Sequence, residues 1–163
     1  MGACLVLNIN LKTLLLNAIY MAIYIAFCFI FAPFSFGEIQ IRISEALCIL
    51  PIYDKLSVVS ITIACAISNF MNGNIIDAIF GSLATFIGLV LTYCLRKKNF
   101  YIAVFPTVVS NAIIIPFVLK YGYGLYAFPI YINMVFVFIG ELLSVYIFGT
   151  VLKKILEKYI YKK

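Results

Sequence analysis

The sequence has no histidine and very little charge. Only 11% of its 163 residues are charged, whereas 66% are hydrophobic, and the mean hydropathy is +1.15. A soluble domain needs more polar surface than this, so lipid is the expected solvent for most of the chain. Without histidine, and with no Cys-x-x-Cys pair, a triad-type catalytic centre or a zinc or haem site is close to excluded. We therefore expect a membrane protein that is not an enzyme and has no metal or cofactor.

Six segments divide the chain, and most approach the roughly 20 residues that a membrane-spanning helix needs. The second and third are short for a full span, so one or both are expected to be tilted, kinked or incompletely crossing. We predict an all-α fold: one transmembrane domain, residues 1–163, built as a bundle of six transmembrane helices. The predicted helices are Lys12–Ala32, Glu45–Tyr53, Leu56–Phe70, Ile75–Leu95, Tyr101–Leu119 and Ile130–Leu152.

The basic residues lie at the ends of the apolar segments, a pattern that orients membrane proteins and argues against a nucleic-acid partner. With the amino terminus inside, ten lysines and arginines fall on the inner side and two, Arg42 and Lys120, on the outer side. This bias predicts a multi-pass cell-membrane protein with both termini cytoplasmic. It also makes residues 153–163 a cytoplasmic basic tail, which can contact anionic head groups.

Isolated polar residues inside the apolar segments are the candidate functional groups. An ionised side chain at bilayer depth costs roughly 3 kcal/mol or more unless it has a partner. Glu45 is followed at once by apolar residues, and Glu141 lies near the middle of the sixth helix with no basic residue within one turn. Asp77 is in the first turn of its helix, where the helix dipole alone favours a carboxylate. The amides at similar depth are Asn69, Asn111 and Asn133.

Residues 33–45 are expected to form an extracellular loop that gates a substrate site. Isoleucines alternate with polar residues there, as in an extended strand, yet Glu38, Arg42 and Glu45 also have helical spacing. In either conformation the charges and Gln40 converge at the outer mouth of the bundle, although a solvated loop with an ion pair is the plainer alternative. Carboxylates, amides and aromatic rings together suit a planar nitrogen heterocycle.

Alanines four residues apart line one face of the first helix. Ala18, Ala22 and Ala26 would let another helix approach closely. Packing within this chain and docking to a separate protein are both compatible with that pattern.

The run Phe36–Pro51, which reads FGEIQIRISEALCILP, resembles the signature of the queuosine-precursor transporter family of QueT type. Asp77–Thr85, DAIFGSLAT, is similar to the fourth-helix motif of that family, and Asn111-Ala112 and Gly140-Glu141 also fit. The resemblance extends over essentially the whole chain. One departure is Glu38, at a position where proline is expected.

The resemblance implies a six-helix S component of an energy-coupling factor (ECF) importer in a prokaryotic plasma membrane. Its implied partners are a transmembrane coupling subunit, contacted through the alanine face of the first helix, and two cytoplasmic ATPases. The implied ligand is a 7-deazaguanine such as preQ1, preQ0 or queuine, captured from outside. Substrate binding is then assigned to Gln40, Arg42, Glu45, Asn69, Asp77, Asn111 and Glu141.

Three other functions stay open. The same fold could bind a different vitamin-like heterocycle, or the chain could be a stand-alone secondary transporter with Glu141 and Asp77 as proton relays. A membrane enzyme is the least favoured, because the sequence offers no nucleophile–base pair and no cluster of metal ligands.

Overall fold

The computed structural model describes residues 10–32, 42–72, 74–124 and 126–161, and within them the chain forms six helical segments and no strand. The all-α prediction is therefore confirmed. Most helices begin and end within two residues of their predicted bounds. The sixth, predicted to run to about Leu152 and to continue as an amphipathic basic tail, is helical to Tyr159. The helices are α1 (Leu11–Ile30), α2 (Ile43–Ile52), α3 (Ser57–Met71), α4 (Asp77–Leu95), α5 (Phe100–Tyr121) and α6 (Ile130–Tyr159).

Four of these helices, α1, α4, α5 and α6, are long and apolar enough to cross a membrane. Helices α2 and α3 have only 10 and 15 residues, in line with the prediction that both are short. Helix α2 has 3-10 geometry, so at about 2.0 Å per residue it extends for about 20 Å, less than the roughly 30 Å of a hydrocarbon core. The chain is a multi-pass membrane protein with four candidate full spans and two shorter helices.

Helix α2 lies in the middle of the bundle, against α1, α4 and α6. Every residue of the range 44–51 is buried. Its sequence is apolar on all sides apart from Ser44 and Glu45, as expected for a helix without a solvent face. The fold therefore carries Glu45 into the core.

Two π-helical turns interrupt the spanning helices. One occupies Asp77–Gly81 at the start of α4, and the other occupies Leu143–Phe148 inside α6. Such turns are rare and occur frequently at functional sites. Here the first contains Asp77, and the second begins two residues after Glu141.

One end of the bundle contains the first residues of α1, α3 and α5 and the last residues of α2, α4 and α6. We call it the lysine-rich end. There Tyr53 donates a hydrogen bond to Glu157 at 3.1 Å, and Tyr161 stacks on Tyr53 with ring centroids 5.0 Å apart. Burial and the bond to Glu157 raise the pKa of Tyr53, so it stays protonated and donates. The predicted basic tail, residues 153–163, thus starts as a continuation of α6 held against α2.

Candidate functional site

An ion pair occupies the opposite end of the bundle. Nη2 of Arg42 lies 3.0 Å from Oδ2 of Asp77, and both side chains are almost fully buried. Tyr123 donates to the same carboxylate oxygen at 2.9 Å, and Asn69 donates to the Asp77 backbone carbonyl at 3.1 Å. Burial and the Asp77 carboxylate raise the pKa of Tyr123, so its hydroxyl remains a donor. The pair therefore ties the start of α2 to the start of α4.

Glu45 lies one turn further along α2 and is fully buried. Its Oε1 accepts a hydrogen bond from the Tyr24 hydroxyl at 2.5 Å. Its Oε2 accepts from Cys48 at 2.8 Å and from the Asn111 amide at 3.5 Å. Donors from α1, α2 and α5 thus converge on one carboxylate.

Glu141 approaches the same group from α6. It is 3% exposed, its side chain lies against Asn111, and it is within electrostatic range of Glu45 and Arg42. Within the described residues, Oε2 of Glu141 accepts no hydrogen bond, and neither does the Oδ1 atom of Asn111 or of Asn133. A buried acceptor without a donor costs free energy, so these oxygens suit a ligand that presents N–H groups.

The structure brings most of the predicted site residues into one buried network. Gln40 and Glu38 lie outside the described residues, as does the predicted gating loop up to residue 41. Residues 43–45 of that predicted loop are instead the first turn of α2. The six predicted residues that come together are Arg42, Glu45, Asn69, Asp77, Asn111 and Glu141.

Three members of the network were missed by the sequence reasoning, namely Tyr24, Cys48 and Tyr123. A signal for Tyr24 exists, because the buried face of α1 is a stripe of polar and polarisable residues, Asn17, Tyr20, Tyr24 and Cys28. The alanines predicted to dock a partner lie on the other side of α1 and are exposed. The face of α1 turned to the bundle is therefore the one that contributes to the site.

Gly81 makes room for the Asp77 carboxylate. A Cβ atom at Gly81 would overlap Oδ1 of Asp77 and lie 2.9 Å from Nδ2 of Asn69. Gly81→Ala is therefore expected to push Asp77 away from Arg42 and to lower the free energy of unfolding by about 1–3 kcal/mol. Reversible unfolding in mixed micelles measures this change.

Ser82→Ala is the control for Gly81→Ala, because the Ser82 hydroxyl donates to carbonyls of its own helix. We expect it to change stability by less than about 1 kcal/mol. If Gly81→Ala were as stable as this control, the close approach of Gly81 and Asp77 would not hold the carboxylate in place.

The network offers several acceptors to hydrogen-bond donors. Among the described residues, no three acidic or thiol side chains are placed to hold a metal ion. The cluster is closed to solvent, with Glu45 and Asp77 both at 0% exposure. The cluster is therefore a small, buried group of side chains that is rich in hydrogen-bond acceptors.

Comparison with known proteins agrees with a transport role. A family described as QueT transporter matches residues 14–158. The queuosine precursor transporter QueT of Lactococcus lactis subsp. cremoris is 36% identical over 70 residues, which is 41% of this chain and 41% of that relative. No solved structure matches the chain. A transporter family also agrees with the prediction that the chain is not an enzyme. Because the family match extends over most of the chain, this protein belongs to the QueT transporter family.

Proposed function

We propose that this protein is the substrate-binding S component of an ECF-type importer and that it captures a queuosine precursor of the 7-deazaguanine class. The observation that carries the proposal is the set of buried acceptors without donors on α5 and α6, of which Asn111 also donates to Glu45. A lipid-embedded protein tolerates such a set when a ligand compensates it. The L. lactis relative bears the name of a queuosine precursor transporter, which supports the same ligand class.

The recognition chemistry follows from the donor and acceptor edges of a 7-deazaguanine. Its ring N–H and exocyclic amine are donors, which Glu45 and Glu141 would accept. Its carbonyl is an acceptor, which the amide of Asn111 or the guanidinium of Arg42 would meet. Asp77 would act as a positioning residue through its 3.0 Å bond to Arg42. Gln40 and Asn69 complete the proposed set.

The charge distribution supports an orientation in which this site faces outward. The lysine-rich end carries Lys12, Lys55 and the Arg96–Lys98 cluster, and positive residues favour the cytoplasmic side. Both termini would then be cytoplasmic. Because the network is buried, capture from outside requires an opening. Tyr123, which donates to Asp77, is only half-buried.

The exposed alanine face of α1 is the proposed contact with a transmembrane coupling subunit, which in turn would carry two ATPases. Ala18, Ala22 and Ala26 are all exposed. An apolar groove of about 500 Å³ lies between α1, α2 and the second half of α6, lined on α1 by Tyr20, Ile23 and Phe27. Small residues on an exposed helix face allow a partner helix to come close.

Ala22→Leu tests this contact. The larger side chain remains compatible with lipid but keeps a partner helix at a distance, so co-purification with the coupling subunit should fall at least about tenfold. Affinity for the small ligand should stay within about twofold, because Ala22 lies away from the site. Val135→Leu, on the exposed face of α6, is the matched control. If both variants co-purified equally with the coupling subunit, the contact would have to lie on another surface of the protein.

Two measurements test the proposed function itself. Calorimetry on purified protein with 7-deazaguanines, riboflavin and folate should show tight binding of a 7-deazaguanine alone. Binding of riboflavin or folate instead would show that the protein is specific for a different heterocycle. Uptake into cells should disappear when the coupling ATPases are deleted. Uptake that survives and follows the proton gradient would favour a secondary transporter, with the buried carboxylates Glu141 and Asp77 as proton relays.

A further inference from the structure

Asn133 is a buried amide to which the proposed site assigns no role. It lies in the first turn of α6, which begins at Ile130, and its side chain is 1% exposed. Across the part of the chain that the structure describes, its Oδ1 atom accepts no hydrogen bond. A buried acceptor without a donor destabilises a folded protein, so each such atom needs an explanation. A role in binding explains Asn133 better than a role in folding, because its amide oxygen contributes nothing to stability.

The side chain of Asn133 is turned to the interior of the bundle. Asn133, Val137 and Glu141 lie on one face of α6, because they are four residues apart. At 1.5 Å per residue, Asn133 and Glu141 are separated by about 12 Å along the helix. Val137, between them, is buried in a cluster with Ile115 and Leu119 of α5. The face of α6 that carries Asn133 therefore packs against α5.

An apolar layer separates Asn133 from the other acceptors. This layer consists of Ile115, Leu119 and Val137. Asn111 lies one turn before the layer on α5, on the side of Glu141. Tyr123 follows the layer on α5 and packs against it, at the end of the bundle where α6 begins. The bundle thus carries buried acceptors on both sides of an apolar layer, and Asn133 is the one on the side of Tyr123.

A flat heterocycle suits this arrangement, because ligand sites are mostly apolar with a small number of precisely placed polar groups. The apolar layer would cover a face of the ring, and the acceptors near Asn111 would meet one of its edges. We infer that Asn133 is a further ligand-binding residue, whose Oδ1 accepts a hydrogen bond from the part of the ligand that faces the start of α6. This inference rests on the proposed function and adds a second region of polar contact to its site.

Asn133→Leu tests the inference through two quantities. Leucine is close to asparagine in size but has no acceptor, so the ligand-free variant should be at least as stable as wild type. Its affinity for the 7-deazaguanine preQ1 should nevertheless fall at least about tenfold, because a donor of the bound ligand loses its partner. Unfolding by SDS in mixed micelles measures the stability, and calorimetry measures the affinity.

Asn17→Leu is the matched control, because Asn17 is also buried but has hydrogen-bond partners. Its amide donates to the Asp54 carboxylate and to the Thr13 carbonyl, and its oxygen accepts from Ser60. The same substitution leaves these partners unpaired in the half of the bundle nearer the lysine-rich end. Stability should therefore fall, whereas the affinity for preQ1 should stay within about twofold of wild type.

Asn133→Ala removes the same oxygen without adding bulk to the apolar layer. Its affinity for preQ1 should fall as it does in Asn133→Leu. A loss of affinity confined to Asn133→Leu would be a steric effect of leucine and would overturn the inference.

The remaining outcomes separate the inference from the function on which it rests. If both Asn133 variants bound preQ1 as tightly as wild type, Asn133 would not contact the ligand. If Asn133→Leu lost stability as Asn17→Leu does, Asn133 would be a structural residue. Either result requires that the wild-type protein binds preQ1, so the proposed function would stand without the inference. If the wild-type protein bound no 7-deazaguanine, the proposed function and the inference would fail together.

Discussion

Arg42→Met is expected to lower the free energy of unfolding by about 3–5 kcal/mol, because it leaves the buried Asp77 carboxylate without its cation. Asp77 is fully buried, and Arg42 contacts it at 3.0 Å. The hydroxyl of Tyr123 would remain as a donor, but a neutral donor compensates a buried charge only in part. Unfolding by SDS in mixed micelles, followed by circular dichroism, measures the loss.

A double variant separates the lost charge from lost packing. In Arg42→Met/Asp77→Leu both charges are absent, so stability should recover to within about 1–2 kcal/mol of wild type. Recovery together with loss of ligand binding would show that the pair serves the site. If Arg42→Met alone were as stable as wild type, the ion pair would not stabilise the contact between α2 and α4, contrary to what its geometry indicates.

Glu45→Gln is expected to weaken ligand binding at least about tenfold. The substitution keeps the shape of the side chain but replaces one acceptor oxygen by a donor amide. That amide would face the donors of Tyr24, or of Cys48 and Asn111, so one side of the network loses its acceptor. Calorimetry with a 7-deazaguanine measures the change in affinity.

Glu157→Gln provides the control for Glu45→Gln, since Glu157 accepts a hydrogen bond from Tyr53 at the far end of the bundle. The affinity of the Glu157→Gln variant for the 7-deazaguanine should stay within about twofold of wild type. Unchanged affinity in Glu45→Gln, with the protein folded, would remove Glu45 from the site. The combination Glu45→Gln/Glu141→Gln should then show whether the two carboxylates act together.

The sequence was sufficient to predict the fold class and most of the buried polar residues. Glu45 and Glu141 were identifiable because each is an acid flanked by apolar residues, and the membrane makes such residues costly without a partner. The short lengths of α2 and α3 were likewise visible, because proline and turn residues bound them.

The pairing inside the network was not predictable from sequence. Arg42 was assigned to substrate binding, but no sequence pattern indicated its ion-pair partner Asp77, 35 residues away in the chain. The helix dipole alone explains a carboxylate at Asp77, so its ion pair with Arg42 was not predicted. Tyr24 and Cys48 were missed because in an apolar chain with 12 tyrosines neither type stands out. The 3-10 geometry of α2 was not predicted either, because local sequence patterns do not describe the packing of the surrounding helices.

The complete burial of α2 has a consequence for protein engineering. Most helices have one face where substitutions do not disturb the core. Residues 44–51 have no such face, because every one of them is buried. Libraries that randomise it would return mostly unfolded proteins, whatever ligand was selected for. Altered specificity should instead be sought on α5 and α6, where the exposed positions Ile113 and Val135 lie within one turn of Asn111 and Asn133.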